Sequence, residues 1–183
     1  MIILVGYTSI EGQTRKIASA IAEQVEARGH RAVLFDVATM AEYSLERPEA
    51  AILCAPVHGG RYPAPFFDFV HRERGWLNGV PSAFVSVSLM IASEYSEEQD
   101  EARHFADQLI AETGWTPREI AHVAGALRFA EYDFFKRWMV RRIAAKAPAA
   151  EGVSGKADRE FTDWSQVAGF VDGWLEKALA YEP

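Results

Sequence analysis

The chain has a single cysteine, Cys54, in 183 residues. An internal disulfide framework is therefore excluded, and the apolar run around Cys54 reads as a buried strand rather than a redox site. Neither C-x-x-C nor H-E-x-x-H occurs, so no metal site is expected. Positive charge is in deficit: the net charge of -7 argues against general nucleic-acid binding. The N-terminus lacks a basic region and a small-residue cleavage signal, so secretion is not expected. The uncharged stretch Gly79 to Ser93 is interrupted by serines and falls short of the ~20 apolar residues a membrane span needs. These absences describe a soluble or peripheral intracellular protein. What remains is ordinary globular composition, 49% hydrophobic and 25% charged, in a length that suits one domain spanning residues 1–183.

The informative stretch is Thr8-Ser9-Ile10-Glu11-Gly12-Gln13-Thr14. Ahead of it lies the apolar run Ile2 to Val5, and behind it Ile17, Ala18, Ile21, Ala22 and Val25 recur at helical spacing. A strand, a tight polar loop and a helix start follow from that order. The first N–H groups of a helix lack intrahelical partners and sit at the positive end of its dipole, so such a loop can cradle a phosphate. Gly12 permits close backbone approach, and the Ser9 and Thr14 hydroxyls can donate to phosphate oxygens. A well-capped strand-to-helix junction would use the same residue types. The spacing matches neither the triphosphate loop G-x-x-x-x-G-K-[ST] nor the dinucleotide fingerprint G-x-G-x-x-G. Ser9-x-x-Gly12-x-Thr14 resembles the phosphate loop of flavodoxins, with Glu11 standing where those proteins usually carry a hydroxyl residue.

Further along, Gly29 suits the end of the first helix. Arg31 to Val37 reads as strand two, Ala38 to Pro48 as a short helix and loop, and Ala50 to Ala55 as a buried third strand. The loop Val57-His58-Gly59-Gly60-Arg61-Tyr62 leads to a helix starting near Pro63 to Pro65. Ser82 to Leu89 marks strand four. The next helix opens at Ser96 with capping-box spacing to Gln99 and ends at Gly114. Strand five covers Glu119 to Ala126, and the last helix runs from Trp164, capped by Asp163, to about Ala180.

Strands alternating with helices at this period predict a doubly wound five-stranded parallel sheet of order 2-1-3-4-5, the flavodoxin-like α/β fold. Its switch point lies between strands one and three, where a ligand sits beyond their carboxyl ends. The loop from Thr8 to Thr14 and that from Val57 to Tyr62 meet there, and Ser88, Leu89 and Met90 should form the other wall. In flavodoxins these last two loops sandwich the isoalloxazine ring, which makes His58 and Tyr62 the candidates on one side and Leu89 and Met90 on the other. His30, His71, His104 and His122 read as ordinary surface or helix positions.

Between strand five and the last helix, Leu127 to Asp163 is an insertion too long for a simple loop. Arg128 to Lys146 carries six positive and two negative charges, +4 net against -11 for the rest of the chain. Phe135, Met139 and Ile143 fall on one helical stripe, with Arg137, Arg141 and Arg142 on other faces. This predicts a basic amphipathic helix, which either packs on the domain or meets an anionic bilayer or an anionic, flat, apolar ligand.

The segments Ser9-x-x-Gly12-Gln13-Thr14-Arg15-x-Ile17-Ala18, Pro81-Ser82-Ala83-Phe84-x-Ser86-Val87, Ala124-Gly125-Ala126-Leu127-Arg128-Phe129 and Thr162-Asp163-Trp164-x-Gln166-Val167-Ala168 resemble the flavodoxin-like, menaquinone-dependent protoporphyrinogen oxidases. The resemblance covers nearly the whole chain, and an acidic residue at Glu11 fits that family. It implies FMN held by the loops named above, oxidation of protoporphyrinogen IX to protoporphyrin IX in haem biosynthesis, and menaquinone or another quinone as acceptor. It also implies a peripheral position on the cytoplasmic face of the cell membrane. Arg128, Lys136, Arg137, Trp138, Arg141 and Arg142 become candidates for the anionic substrate or an anionic membrane surface. No catalytic acid or base is assigned. A flavodoxin-type electron carrier and an FMN-dependent quinone reductase with another substrate are the alternatives.

Overall fold

The computed structural model describes residues 1–39, 47–127 and 159–181. Its elements are β1 (Ile2–Tyr7), α1 (Gln13–Ala27), β2 (Arg31–Asp36), β3 (Ala50–Pro56), α2 (Ala64–Gly79), β4 (Ser82–Val87), a 3-10 turn (Leu89–Ala92), α3 (Ser96–Thr113) and β5 (Glu119–Val123). After these come β6 (Ala126–Leu127), β7 (Arg159–Glu160) and α4 (Trp164–Leu179). The five main strands are all parallel and ordered β2-β1-β3-β4-β5, as the alternation predicts.

Alternate residues of each strand feed opposite faces of the sheet. On one face Ile3, Val5, Ile52 and Val85 meet Ile17, Ile21 and Val25 of α1 and Val171 and Trp174 of α4. On the other, Leu4, Leu53 and Phe84 meet Phe66, Phe69 and Leu77 of α2, Leu109 of α3 and Trp115. The central strands β3 and β4 are covered on both faces, which explains their unbroken apolar runs. Cys54 lies fully buried among them, and burial pushes its thiol pKa up, so it stays protonated and unreactive.

The helix ends follow local chemistry. Gly29 and Gly114 both adopt the left-handed backbone that stops a helix. Asp163 caps α4, its Oδ1 accepting from the N–H groups of Ser165 at 2.9 Å and Gln166 at 3.1 Å. Four expectations need correction. Leu89 is not in β4: the Ser88 hydroxyl accepts from Met90 N at 3.2 Å and turns the chain into the 3-10 turn. Ser96 does not cap α3, because it already lies inside the helix, and the Gln99 amide donates to the Ser93 carbonyl instead. Strand five stops at Val123, since the Ala124 carbonyl accepts from the Thr162 hydroxyl at 2.7 Å. His122 lies in β5, half-buried, rather than on a helix or the open surface.

The short helix expected within Ala38 to Pro48 and the basic helix over Arg128 to Lys146 lie wholly or mainly outside the described residues. Among the described residues no helix is long and apolar enough to cross a membrane.

Candidate active site

The carboxyl ends of β1, β3 and β4 share one edge of the sheet, where the ladder runs one step past the strands. Thr8 N donates to the Cys54 carbonyl at 3.1 Å, Val57 N to Val87 at 2.8 Å and Ser88 N to Val123 at 3.0 Å. The three loops of interest therefore leave the sheet side by side. The outermost of these connections straddles the point at which the chain, having gone one way from β1 to β2, returns to β3.

The first loop is shaped by Gly12, whose φ of 92° no β-branched residue would tolerate and whose missing Cβ would face open space. The Ser9 hydroxyl accepts from Gly12 N at 3.0 Å, which folds the loop back on itself and leaves the hydroxyl proton available outward. Among the described residues no side chain caps α1. Its first N–H groups are thus able to receive an anion. Thr8 and Thr14 are buried, while Ile10 is 52% exposed. Gln13 is buried too, and its Oε1 has no hydrogen-bond partner among the described residues. An orphaned acceptor beside an uncapped helix start suits a ligand carrying both a phosphate and hydroxyl groups.

The second loop is a two-residue hairpin turn. His58 and Arg61 exchange backbone hydrogen bonds of 2.9 and 3.3 Å, and Gly59 and Gly60 between them both have positive φ, the type I′ arrangement. His58 and Gly59 are exposed on it. Tyr62 differs from the expectation that it faces the ring. It turns into the core, 8% exposed, with its hydroxyl 2.7 Å from Ser86 Oγ and its ring against Phe66 and Phe84. Burial raises its pKa, so the phenol stays neutral.

On the third loop Ser88 is buried, Leu89 and Met90 are half-exposed, and Tyr95 stands 72% exposed just before α3. Sequence reasoning passed over Tyr95. The signal was an aromatic residue in the loop after strand four, and attention to the capping pattern at Ser96 hid it.

The stem of the insertion adds a fourth component. β6 and β7 pair antiparallel, Ala126 opposite Glu160, and Phe161 N donates to the Gly125 carbonyl. The insertion thus leaves and returns at one point. That point is tied to the start of α1: the Gln13 amide donates to Thr162 Oγ at 2.9 Å, and Lys16 Nζ lies 2.6 Å from Glu160 Oε2. Glu160 also accepts from Trp164 Nε1 at 2.7 Å. The hydrogen bond from Lys16 is the chief cause holding the Glu160 carboxyl below its ordinary value of 4.5, and its own partial desolvation opposes it.

A depressed folded value contributes stability above pH 4.5 that disappears as pH falls through the folded pKa. Thermal unfolding followed across that acid range should therefore show a loss that Glu160→Gln flattens. An identical profile in the variant would show that the ion pair contributes nothing to the stem.

Comparison with known proteins agrees with the fold. Residues 4–151 match the model of the flavodoxin domain family. The chain is 32% identical over 168 residues to the protoporphyrinogen IX dehydrogenase [quinone] of Escherichia coli (strain K12), covering 92% of this chain and 91% of that one. It belongs to that flavodoxin-like dehydrogenase family. The enzyme of the same name from Leishmania major is 28% identical, covering 97% of this chain and 76% of its own. Among solved structures, oxidised flavodoxin 1 from Bacillus cereus superposes with a TM-score of 0.58 at 17% identity, covering 96% and 98% of the two chains. Within the family's flavodoxin fold, the loop from Thr8 to Gly12, the Gly-Gly turn and the Ser88 loop of this chain are the parts brought to one edge. Arg128, Lys136, Arg137, Trp138, Arg141 and Arg142 lie outside the described residues.

Proposed function

We propose that the chain is an FMN-dependent dehydrogenase that oxidises protoporphyrinogen IX to protoporphyrin IX and passes the electrons to a quinone, menaquinone or a relative of it. The observation that carries this reading is the stem of the insertion fastened to the first turn of α1 by Gln13–Thr162 and Lys16–Glu160. An electron carrier needs no such attachment. A substrate-binding insertion must begin beside the cofactor, and this stem is fastened to the helix start that would hold the phosphate.

In this reading the residues Thr8 to Thr14 hold the phosphate, with the N–H groups of the first α1 turn as donors and the Ser9 hydroxyl beside them. Gln13 Oε1 receives a sugar-chain hydroxyl. The turn from Val57 to Tyr62 and the loop at Ser88, Leu89 and Met90 flank the ring through His58 and the half-exposed Leu89 and Met90, with Tyr95 at the rim. FMN supplies the redox chemistry, and the protein supplies binding, orientation and electrostatics. Arg128, Lys136, Arg137, Arg141 and Arg142 neutralise the two propionates of the porphyrinogen while Trp138 covers part of its apolar face. The same basic surface draws the protein to anionic lipid on the cytoplasmic side, where quinone resides.

The test is porphyrin fluorescence against time with FMN-loaded protein, protoporphyrinogen IX and a menaquinone analogue under anaerobic conditions. Quinone-dependent growth above a protein-free control is the expected result. Replacing Arg137, Arg141 and Arg142 together by Gln should raise the KM for porphyrinogen by about tenfold or more, as expected for losing charge-assisted contacts to carboxylates. No porphyrin signal despite bound, reducible FMN would overturn the reading in favour of an electron carrier or a reductase of another substrate.

A further inference from the structure

A groove of about 610 Å³ opens beside the Gly-Gly turn, between the start of α2 and the middle of α3. Its size falls in the range of small-molecule sites, roughly 300–1,000 Å³. Phe67 and Phe105 supply half-buried rings, Ile10 forms an apolar lip, and Arg61, Gln108 and Glu112 fringe it. Ile10 is costly to expose, and its 52% exposure on the rim of an aromatic groove is what a ligand would relieve.

The inner wall of the groove consists of the same two loops that border the cofactor site. Ile10 belongs to the phosphate loop, and Gly60 and Arg61 to the turn after β3. A Cβ added to Gly60 would stand 3.6 Å from the ring of Phe105, so the ring already lies close against bare main chain. A flat ligand against Phe105 would therefore lie beside the glycine turn that borders the proposed cofactor site.

Charge selects the ligand class. Apart from His58, the charged side chains lining the groove among the described residues are Arg61 and Glu112, one of each sign. A dicarboxylate such as the porphyrinogen would want cations in excess, as the insertion offers and the groove does not. A neutral, flat, apolar ring with carbonyl acceptors at its edge fits. The Arg61 guanidinium and the Gln108 carboxamide are exposed donors for such carbonyls, and the rings receive its face.

We infer that this groove is the docking site of the quinone head group, an inference that rests on the quinone-linked reading above. Porphyrinogen and quinone then occupy separate places, the first at the insertion and the second in the groove. Each electron pair and pair of protons removed from the porphyrinogen reduces one quinone to its hydroquinone. Acceptor exchange need not await release of the porphyrin.

The experiment is photolabelling of FMN-loaded protein with an azido-naphthoquinone, followed by peptide mapping. Label on the peptides carrying Phe67 or Phe105, competed by unlabelled short-chain naphthoquinone, is expected. Label confined to other peptides overturns the inference. In parallel, Gln108→Trp, which fills the groove from the exposed face of α3, and Arg61→Ala are assayed with naphthoquinone and with ferricyanide. The ratio of quinone-linked to ferricyanide-linked porphyrinogen oxidation should fall about tenfold, the scale of one lost contact set at a bound ligand. An unchanged ratio in both variants overturns the groove. Absence of porphyrinogen oxidation with either acceptor in the unaltered protein would overturn the enzymatic reading instead, and the labelling pattern would still decide the groove.

Discussion

Gly12→Val should cost the protein its flavin while leaving the fold in place, with affinity falling about a hundredfold or more. Two contributions combine. At φ 92° a side chain with a Cβ, and a β-branched one above all, is strained by about 1–2 kcal/mol, which the loop can relieve only by moving. In the proposed binding mode, moving it takes the first α1 N–H groups off the phosphate, and each charge-assisted hydrogen bond lost there is worth about 1.5–3 kcal/mol. Two such bonds lost pass about 2.7 kcal/mol, or a hundredfold. The flavin-free fold should lose only the first contribution, because nothing lies within 4 Å of the added Cβ to clash with. Flavin fluorescence titration and chemical unfolding of the flavin-free protein measure the two separately. An affinity loss no larger than the stability loss would show that the loop is an ordinary capped junction.

That loop was legible because its signals are local. A glycine at a helix start, hydroxyls around it and an apolar strand before it are all contiguous, and the strand order followed from the alternation of elements. What the sequence hid is tertiary. Tyr62 sits in a polar, glycine-rich loop and reads as ligand-facing, yet the Ser86 hydroxyl and the rings of Phe66 and Phe84 give it a satisfied place inside. Nothing contiguous with Tyr62 announces Ser86. The β6–β7 stem is hidden for the same reason: two-residue strands carry too little periodicity to detect, and their partners are separated by the whole insertion. Ser96 misled in the other direction, since serine three residues before glutamine is a real capping pattern, but Ser93 and the Tyr95 carbonyl already satisfy that turn.

Trp115→Ala should do the converse of Gly12→Val, removing about 3–5 kcal/mol of stability with flavin affinity kept within about threefold. Trp115 is fully buried directly after Gly114 closes α3, its Nε1 donating to Ser82 Oγ at 3.0 Å and its ring 5.5 Å from that of Phe84. Asn78, at the end of α2, donates to the Gly114 carbonyl at 2.9 Å and accepts from Thr116 N at 2.8 Å, so the ends of both helices are fixed around this residue. Truncation leaves a cavity and a buried Ser82 hydroxyl without its donor, a combination that consumes much of the roughly 5–15 kcal/mol a domain has. Ser82 begins β4, whereas the cofactor loops leave the other end of the strands, about 20 Å away at 3.3 Å per residue. Denaturant midpoints should fall steeply, and a Trp115→Phe variant, which keeps the ring and loses the hydrogen bond, should fall by only about 1–3 kcal/mol. Flavin affinity is measured under conditions where the variant remains folded. A parallel collapse of affinity would mean that the far end of α3 sets the loop from Ser88 to Tyr95, and that packing and binding in this fold are not separable along the strand axis.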